Sequence, residues 1–253
     1  MVSNDSGWHY PFAEVSVPTL DIVTTPDTHP EVQSVIVVID VLRATTMIAA
    51  LLDAGANFVW PVRSIEKARH LRIEHPELMI AGERSGLRPE GFDMGNSPAE
   101  ITSSTVRGRG IVLTTTNGTA ALETARHMSE TVLTLSLTNL ASVEHWLSNT
   151  DRDACLMCSG TDGHRSLEDE LAAGLLAARM SGWDLTSRAI CVREQALQLV
   201  ERWGGVAGAV AQSPHAARLV ELGFDRDVDA CSRVSVTDCV PALDSVRGVL
   251  FRG

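Results

Sequence analysis

The chain has 253 residues and carries 21 Lys plus Arg against 32 Asp plus Glu, a formal charge of −11, with 44% apolar residues. These proportions exclude a disordered chain, a collagen-like repeat and a small disulfide scaffold. The acidic balance provides no broad positive field, which duplex binding depends on because each phosphate contact displaces a counterion, so no nucleic-acid partner is expected.

The opening Met-Val-Ser-Asn-Asp-Ser lacks the basic and apolar regions of a signal peptide, and no stretch reaches the roughly 18 consecutive apolar residues of a membrane helix. Five cysteines, an odd number, argue for reduced thiols, so the expectation is a cytoplasmic protein without a membrane partner. Residues 1–33, with Pro11, Pro18, Pro26 and Pro30, read as a mixture of extended strand and loop. From Val35 onward the pattern alternates. Strands are predicted at Val35 to Asp40, Phe58 to Val62, Leu78 to Ala81, Ile111 to Leu113, Val132 to Leu135 and Ala154 to Met157. Helices are predicted at Ala44 to Leu52, Ser64 to His75, Thr119 to His127 and Leu140 to Leu147. Strands separated by helices of about ten residues imply crossover units and a largely parallel or mixed sheet covered on both faces. The expected fold is therefore a three-layer α/β/α domain spanning 1–253. Its C-terminal part is helix-rich (Leu171 to Met180, Ile190 to Val200, Ala216 to Leu222), with a last strand at Arg233 to Thr237.

In such sheets ligands bind outside the carboxyl ends of the strands, so polar residues that follow apolar runs carry the information. Four clusters fit. Asp40-Val41-Leu42-Arg43-Ala44-Thr45-Thr46 places a carboxylate at a strand end, and a guanidinium with two hydroxyls at a helix entrance, where an anion can be met. The alternative for Asp40 is helix capping. Gly82-Glu83-Arg84-Ser85-Gly86 runs into Gly91-Phe92-Asp93-Met94-Gly95-Asn96-Ser97-Pro98, a long loop whose Phe92 and Met94 favour docking over disorder. Thr114-Thr115-Thr116-Asn117-Gly118-Thr119 ends a strand in hydroxyls and enters a helix, a cradle for phosphate oxygens that is not a Walker loop. Cys158 to Asp169 places Glu168 and Asp169 at the first turn of a helix. One of them can join Asp40 and Glu83 around Mg²⁺, which accepts a few carboxylates plus waters and substrate phosphate.

Other chemistries fit less well. The lone Cys155/Cys158 pair sits in an apolar run with no second pair, against structural zinc. Cys158 and Arg165 enclose six residues where a cysteine phosphatase has five. A haloacid-dehalogenase-like phosphatase would carry an Asp at position 42, which is Leu, and an active-site Lys, whereas Lys67 falls on an exposed helix face.

Taken in order, Val38 to Thr46, Gly82-Glu83-Arg84, Gly91 to Pro98, Thr114 to Thr119, and Leu167-Glu168-Asp169 with Ala173-Gly174 resemble the magnesium-dependent 2-phosphosulfolactate phosphatases over about Ser34 to Val240. Ala120, where relatives are expected to carry Arg, and Met47, in place of a third hydroxyl, depart from the pattern. The resemblance implies hydrolysis of 2-phospho-3-sulfolactate, a step towards coenzyme M. On this reading Asp40, Glu83 and Glu168 or Asp169 hold or orient Mg²⁺, and Arg43 neutralises the transferring phosphoryl group. Thr115, Thr116, Asn117 and Gly118 cradle its oxygens, and Arg84, Asn96, Ser97 and Arg165 are the further substrate contacts. The partner is a small phosphorylated acid, and homo-oligomerisation is left open. A non-catalytic phosphometabolite sensor is the alternative from outside the enzymes.

Overall fold

The computed structural model describes residues 17–253. Pro11 and the opening six residues therefore lie outside the described residues. Among these residues ten strands occur in chain order: β1 (Thr19–Val23), β2 (Val35–Ile39), β3 (Phe58–Pro61), β4 (Met79–Gly82), β5 (Gly110–Thr114), β6 (Val132–Leu135), β7 (Ala154–Cys158), β8 (Asp184–Leu185), β9 (Pro241–Asp244) and β10 (Val249–Arg252). The first five helices are α1 (Ala44–Asp53), α2 (Ile65–Glu74), α3 (Ser103–Val106), α4 (Gly118–Met128) and α5 (Leu140–Ser148). They are followed by α6 (Leu167–Ala177), α7 (Ser187–Arg202), α8 (Val206–Val210), α9 (Pro214–Glu221) and α10 (Asp225–Cys231).

The sequence Val-Ile-Val-Val-Ile of β2 shows why the sheet is covered twice. All five side chains are buried, and successive residues point to opposite faces. Val35, Val37 and Ile39 pack with Leu140 and Val143 of α5, Leu171 and Leu176 of α6, and Val192 of α7. Ile36 and Val38 pack with Met47, Ile48 and Leu51 of α1 and with Ala121 and Leu122 of α4. The expected three layers are thus present. Each fully buried Leu, Ile or Val contributes about 1.5–3 kcal/mol, which makes these two faces the main source of cohesion.

All strands join one mixed sheet in the order β4-β5-β3-β10-β9-β6-β2-β7-β1-β8. β6, β2, β7, β1 and β8 are parallel to one another, as are β3, β5 and β4. The β9–β10 hairpin bridges these blocks with antiparallel pairings on both sides. β9 opposes both β6 and β10, and β10 opposes β3, so the smaller block meets the hairpin in the opposite sense. Neighbouring strands rotate by roughly 20–25°, so the steps from β2 to β5 turn the strand axis by on the order of 100°. The residues that follow β2, β4 and β5 line one cavity.

One expectation needs correction. Arg233 to Thr237 is not a strand: the backbone N–H groups of Ser235, Val236 and Thr237 donate to the carbonyls of Leu137 and Thr138, outside the sheet. The last strands are β9 and β10, each of four residues and one opening on Pro241, a position where proline is tolerated because its missing donor lies at the strand end. Among residues 17–33 the expected extended part is β1, seated between β7 and β8. No helix among the described residues is long and apolar enough to cross a membrane.

Candidate active site

Asp40 is the first residue after β2 and is 6% exposed. Its Oδ1 accepts the Ala44 N–H at 3.0 Å, and its own N–H donates to Thr45 Oγ1 at 3.1 Å, while the Thr45 hydroxyl donates to the Asp40 carbonyl at 2.8 Å. The capping role is therefore real and uses one oxygen. The other faces the start of α4, so close that a Cβ on Gly118 would stand 2.6 Å from Oδ2 and 2.5 Å from the Ala44 Cβ. Glycine is required there by proximity, and it brings the positive end of a helix against the carboxylate. Burial raises the Asp40 pKa above its ordinary value and the charges of Glu83 and Glu168 add to it, against the opposing Ala44 N–H and His215.

Glu83 follows β4 and ties two strand ends together. Oε1 accepts the Thr116 N–H at 2.7 Å and the Thr116 hydroxyl at 3.0 Å, and Oε2 accepts the Gly86 N–H at 2.8 Å. The preceding Gly82 lies so close to β5 that a Cβ would sit 2.0 Å from the Thr114 carbonyl oxygen. Arg84 donates to the Glu83 and Arg63 carbonyls and to Thr114 Oγ1, at 2.6, 3.0 and 2.9 Å. At the start of α4, Thr115 Oγ1 accepts the Thr119 N–H at 3.2 Å, and Asn117 Oδ1 accepts the Asp162 N–H at 3.2 Å.

Arg43 enters from the β2–α1 loop, is 3% exposed, and donates to Asp227 Oδ2 at 2.6 Å and to the Gly86 carbonyl at 2.8 Å. The ring of Phe224 lies 4.4 Å from its guanidinium carbon. The Ser97 hydroxyl is directed at the same carboxylate, donating to Asp227 Oδ1 at 2.6 Å. Asn96 is buried on the cavity wall, and its Oδ1 has no hydrogen-bond partner among the described residues.

The two acids at the start of α6 differ. Asp169 Oδ1 accepts the Val41 N–H at 2.8 Å, and Oδ2 accepts the Ser159 hydroxyl and the Gly160 N–H, both at 3.2 Å, so this carboxylate pins the β2 loop to the β7 loop. Its pKa is raised well above the ordinary range by burial and by Asp40 and Glu168. Glu168 is equally buried and pairs with His215 Nδ1 at 3.2 Å. Burial opposes its ionisation, but the His215 hydrogen bond and charge prevail and its pKa is lowered. The His215 pKa is raised, Glu168 and Asp40 outweighing the effect of burial.

Asp40, Arg43, Glu83, Arg84, Asn96, Thr115, Thr116 and Asn117 thus line one cavity of about 540 Å³, joined by Thr161, Asp162, His215 and Arg218. Gly118 stands behind Asp40, and Ser97 behind Asp227. Arg165 is elsewhere: it holds Glu170 through two contacts of 2.6 Å and borders a second cavity between α6 and α7. Cys158 is fully buried, and burial pushes its thiol well above the ordinary range, so it is no thiolate nucleophile. Lys67 is exposed on α2.

No three His, Cys, Asp or Glu side chains among the described residues close into a cation cage. Both oxygens of Glu83 and of Asp169 already accept N–H or O–H donors and Glu168 Oε1 is held by His215, which leaves Asp40 Oδ2 on the cavity wall and Glu168 Oε2 behind it, since neither Glu168 nor Asp169 lines the cavity. That donor set suits Mg²⁺, which takes one or two carboxylates and keeps waters and phosphate oxygens. Sequence reasoning missed His215, Arg218 and Asp227. Their helices carry no motif; the only local signal was the Ser213-Pro214 helix start, whose hydroxyl accepts the Ala216 N–H.

A family model described as 2-phosphosulpholactate phosphatase matches residues 22–245. A protein of Thermotoga petrophila named "Probable 2-phosphosulfolactate phosphatase" is 41% identical over 232 residues, covering 92% of this chain and 97% of the relative. Proteins of the same name from Deinococcus radiodurans and Thermus thermophilus are 38% and 33% identical over 220 and 225 residues. They cover 86% and 88% of this chain, and 90% and 94% of their own lengths.

Proposed function

The chain belongs to the 2-phosphosulpholactate phosphatase family, and from that premise we propose that it hydrolyses the phosphoester of 2-phospho-3-sulfolactate in the Asp40 cavity, with Mg²⁺ as cofactor. The observation that carries the assignment of the site is the Asp40 carboxylate. It is buried between two helix starts, with one oxygen capping α1 and the other at the entrance to α4. A capping residue alone does not account for an acid held among Glu83, Glu168 and Asp169.

Water adds to phosphorus, the bond from phosphorus to the ester oxygen breaks, and a proton goes to the leaving alkoxide, giving 3-sulfolactate and inorganic phosphate. The Asp40 charge serves the attacking side. Arg43 presents N–H donors to the phosphoryl oxygens, where a preorganised charge stabilises the transferring group. Thr115 and Asn117 offer donors at the α4 entrance, where the helix dipole favours an anion, whereas both Thr116 donors are taken by Glu83. Glu83 holds Thr116 in place. Arg84 and the side-chain NH2 of Asn96, both on the cavity wall, recognise the remaining acid groups. Asp40 and Glu168 would hold Mg²⁺, which when bound neutralises phosphoryl charge. The five free thiols support a cytoplasmic location.

The test is phosphate release from 2-phospho-3-sulfolactate and a panel of other 2-phospho acids, with Mg²⁺ and after chelation. Mg²⁺-dependent turnover that is fastest on the sulfonated acid is expected. Absence of release across the panel, or turnover indifferent to the chelator, would overturn the reading.

A further inference from the structure

Asp227 lies in α10, 184 residues along the chain from Arg43, and is 1% exposed. Oδ2 accepts Arg43 Nη1 at 2.6 Å, while Oδ1 accepts the Ser97 hydroxyl at 2.6 Å and the Ala99 N–H at 3.1 Å. Three donors from two separate segments thus fix this carboxylate, and α10 packs on the short helical turn Pro98–Glu100. On the other side, Arg43 Nη2 donates to the Gly86 carbonyl at 2.8 Å, and Phe224, one residue before α10, covers the guanidinium face. A guanidinium carries five N–H donors in a rigid plane. Two are taken by Asp227 and Gly86, the face is covered, three have no partner among the described residues, and Arg43 lines the cavity.

A buried ion pair is a weak device for stability, because desolvation of both charges consumes most of their attraction. Its effect on geometry is stronger: a long, flexible side chain is held in one plane. We propose that Asp227 is the positioning residue that aims the free donors of Arg43 at the transferring phosphoryl group. Through it, the C-terminal helical part is a working component of the site. This rests on the phosphatase reading given above, in which Arg43 meets phosphate.

The experiment compares the full-length wild type with Asp227→Asn, Ser97→Ala, Arg43→Lys and the two pairwise combinations with Arg43→Lys, each checked for folding by thermal melting. Asp227→Asn keeps the shape and removes the charge. It is expected to lower kcat at least about thirtyfold with KM changed less than about threefold, the signature of an interaction made mainly in the transition state. Ser97→Ala loosens Asp227 without removing it and should lower kcat about three- to tenfold. Neither substitution should slow an Arg43→Lys enzyme by more than about threefold further, because residues acting through one group are not additive. A merely structural role would instead multiply the losses. A folded Asp227→Asn enzyme within threefold of wild type, or losses that multiply, would overturn the proposal. If Asp227→Asn does not fold, unchanged kcat in Ser97→Ala overturns it. An impaired Arg43→Lys beside an active Asp227→Asn defeats this inference alone, whereas a fully active Arg43→Lys defeats the role of Arg43 as well.

Discussion

The two oxygens of Asp40 meet different surroundings, the Ala44 N–H on one side and the α4 entrance at Gly118 on the other. Asp40→Asn separates their roles. The amide oxygen can still accept from Ala44, but the negative charge is gone. Phosphate release should fall at least about a hundredfold, or about 2.7 kcal/mol of transition-state stabilisation, in a protein that remains folded. A folded variant that keeps activity within tenfold would make Asp40 a cap and nothing more. Cys158 is the residue for which the opposite is expected: its buried thiol is pushed far above neutrality and β7 packs it against the sheet. Cys158→Ser should release phosphate at a rate within about threefold of wild type, and complete loss of activity in the folded variant would contradict a carboxylate-based site.

At the scale of the elements, the approach of α4 to Asp40 decides the geometry. Alanine is favoured over glycine in a helix by up to about 1 kcal/mol, so Gly118→Ala ought to stabilise an unobstructed helix. Here the new methyl would meet Ala44 Cβ and Asp40 Oδ2 at 2.5 and 2.6 Å. Overpacking of this kind costs about 1–3 kcal/mol. The expected outcome is a net loss of stability in calorimetry together with a marked drop in kcat as Asp40 is displaced. A variant more stable than wild type and fully active would show that the two helix starts are not in contact. These elements also mark how far the sequence could be read. β2 and its carboxyl-end Asp40 were legible because five consecutive buried β-branched residues have one sensible reading. Glu83, Thr116 and Asn117 were legible because polar residues after an apolar run fall at the crevice. The hairpin β9–β10 was not, since two four-residue strands, one beginning at Pro241, carry little periodicity. Nor was Asp227: its partner lies 184 residues away, and only tertiary packing makes an acid in a short helix the counterpart of Arg43. Arg165 misled for the converse reason. Its neighbour Glu170 supplies a nearby bidentate partner that draws it away from the cavity.

For the whole molecule, the acidic centre couples stability to pH and to cations. Asp40 and Asp169 have pKa values raised chiefly by burial, and His215 has one raised by Glu168 against the effect of burial. Each of these groups binds protons in the folded state over a range where the unfolded chain has released them, so its contribution falls as pH rises through the folded value. Glu168, with a lowered pKa, contributes in the other direction: its stabilisation is present above its ordinary value and lost as pH falls through the folded one. The metal-free protein should therefore melt higher at pH 6, below the ordinary His value of 6.5, than at pH 8. Under the proposed function a divalent cation at Asp40 and Glu168 would replace those protons and bind only the folded chain. At Mg²⁺ about a hundredfold above its Kd the gain is roughly 2.7 kcal/mol. A domain of this size shifts by about 2–4 °C per kcal/mol, which predicts a rise on the order of 5–10 °C. The rise should be larger at pH 8 than at pH 6, because fewer protons compete for Asp40. K⁺ at matched ionic strength should not reproduce it, since screening is not site binding. Asp40→Asn should shrink the Mg²⁺ response by more than half while raising the melting point of the metal-free protein, because one of the mutually repelling charges is gone. Melting curves indifferent to millimolar Mg²⁺ at both pH values, with wild type and Asp40→Asn alike, would reduce these acids to packing and capping groups.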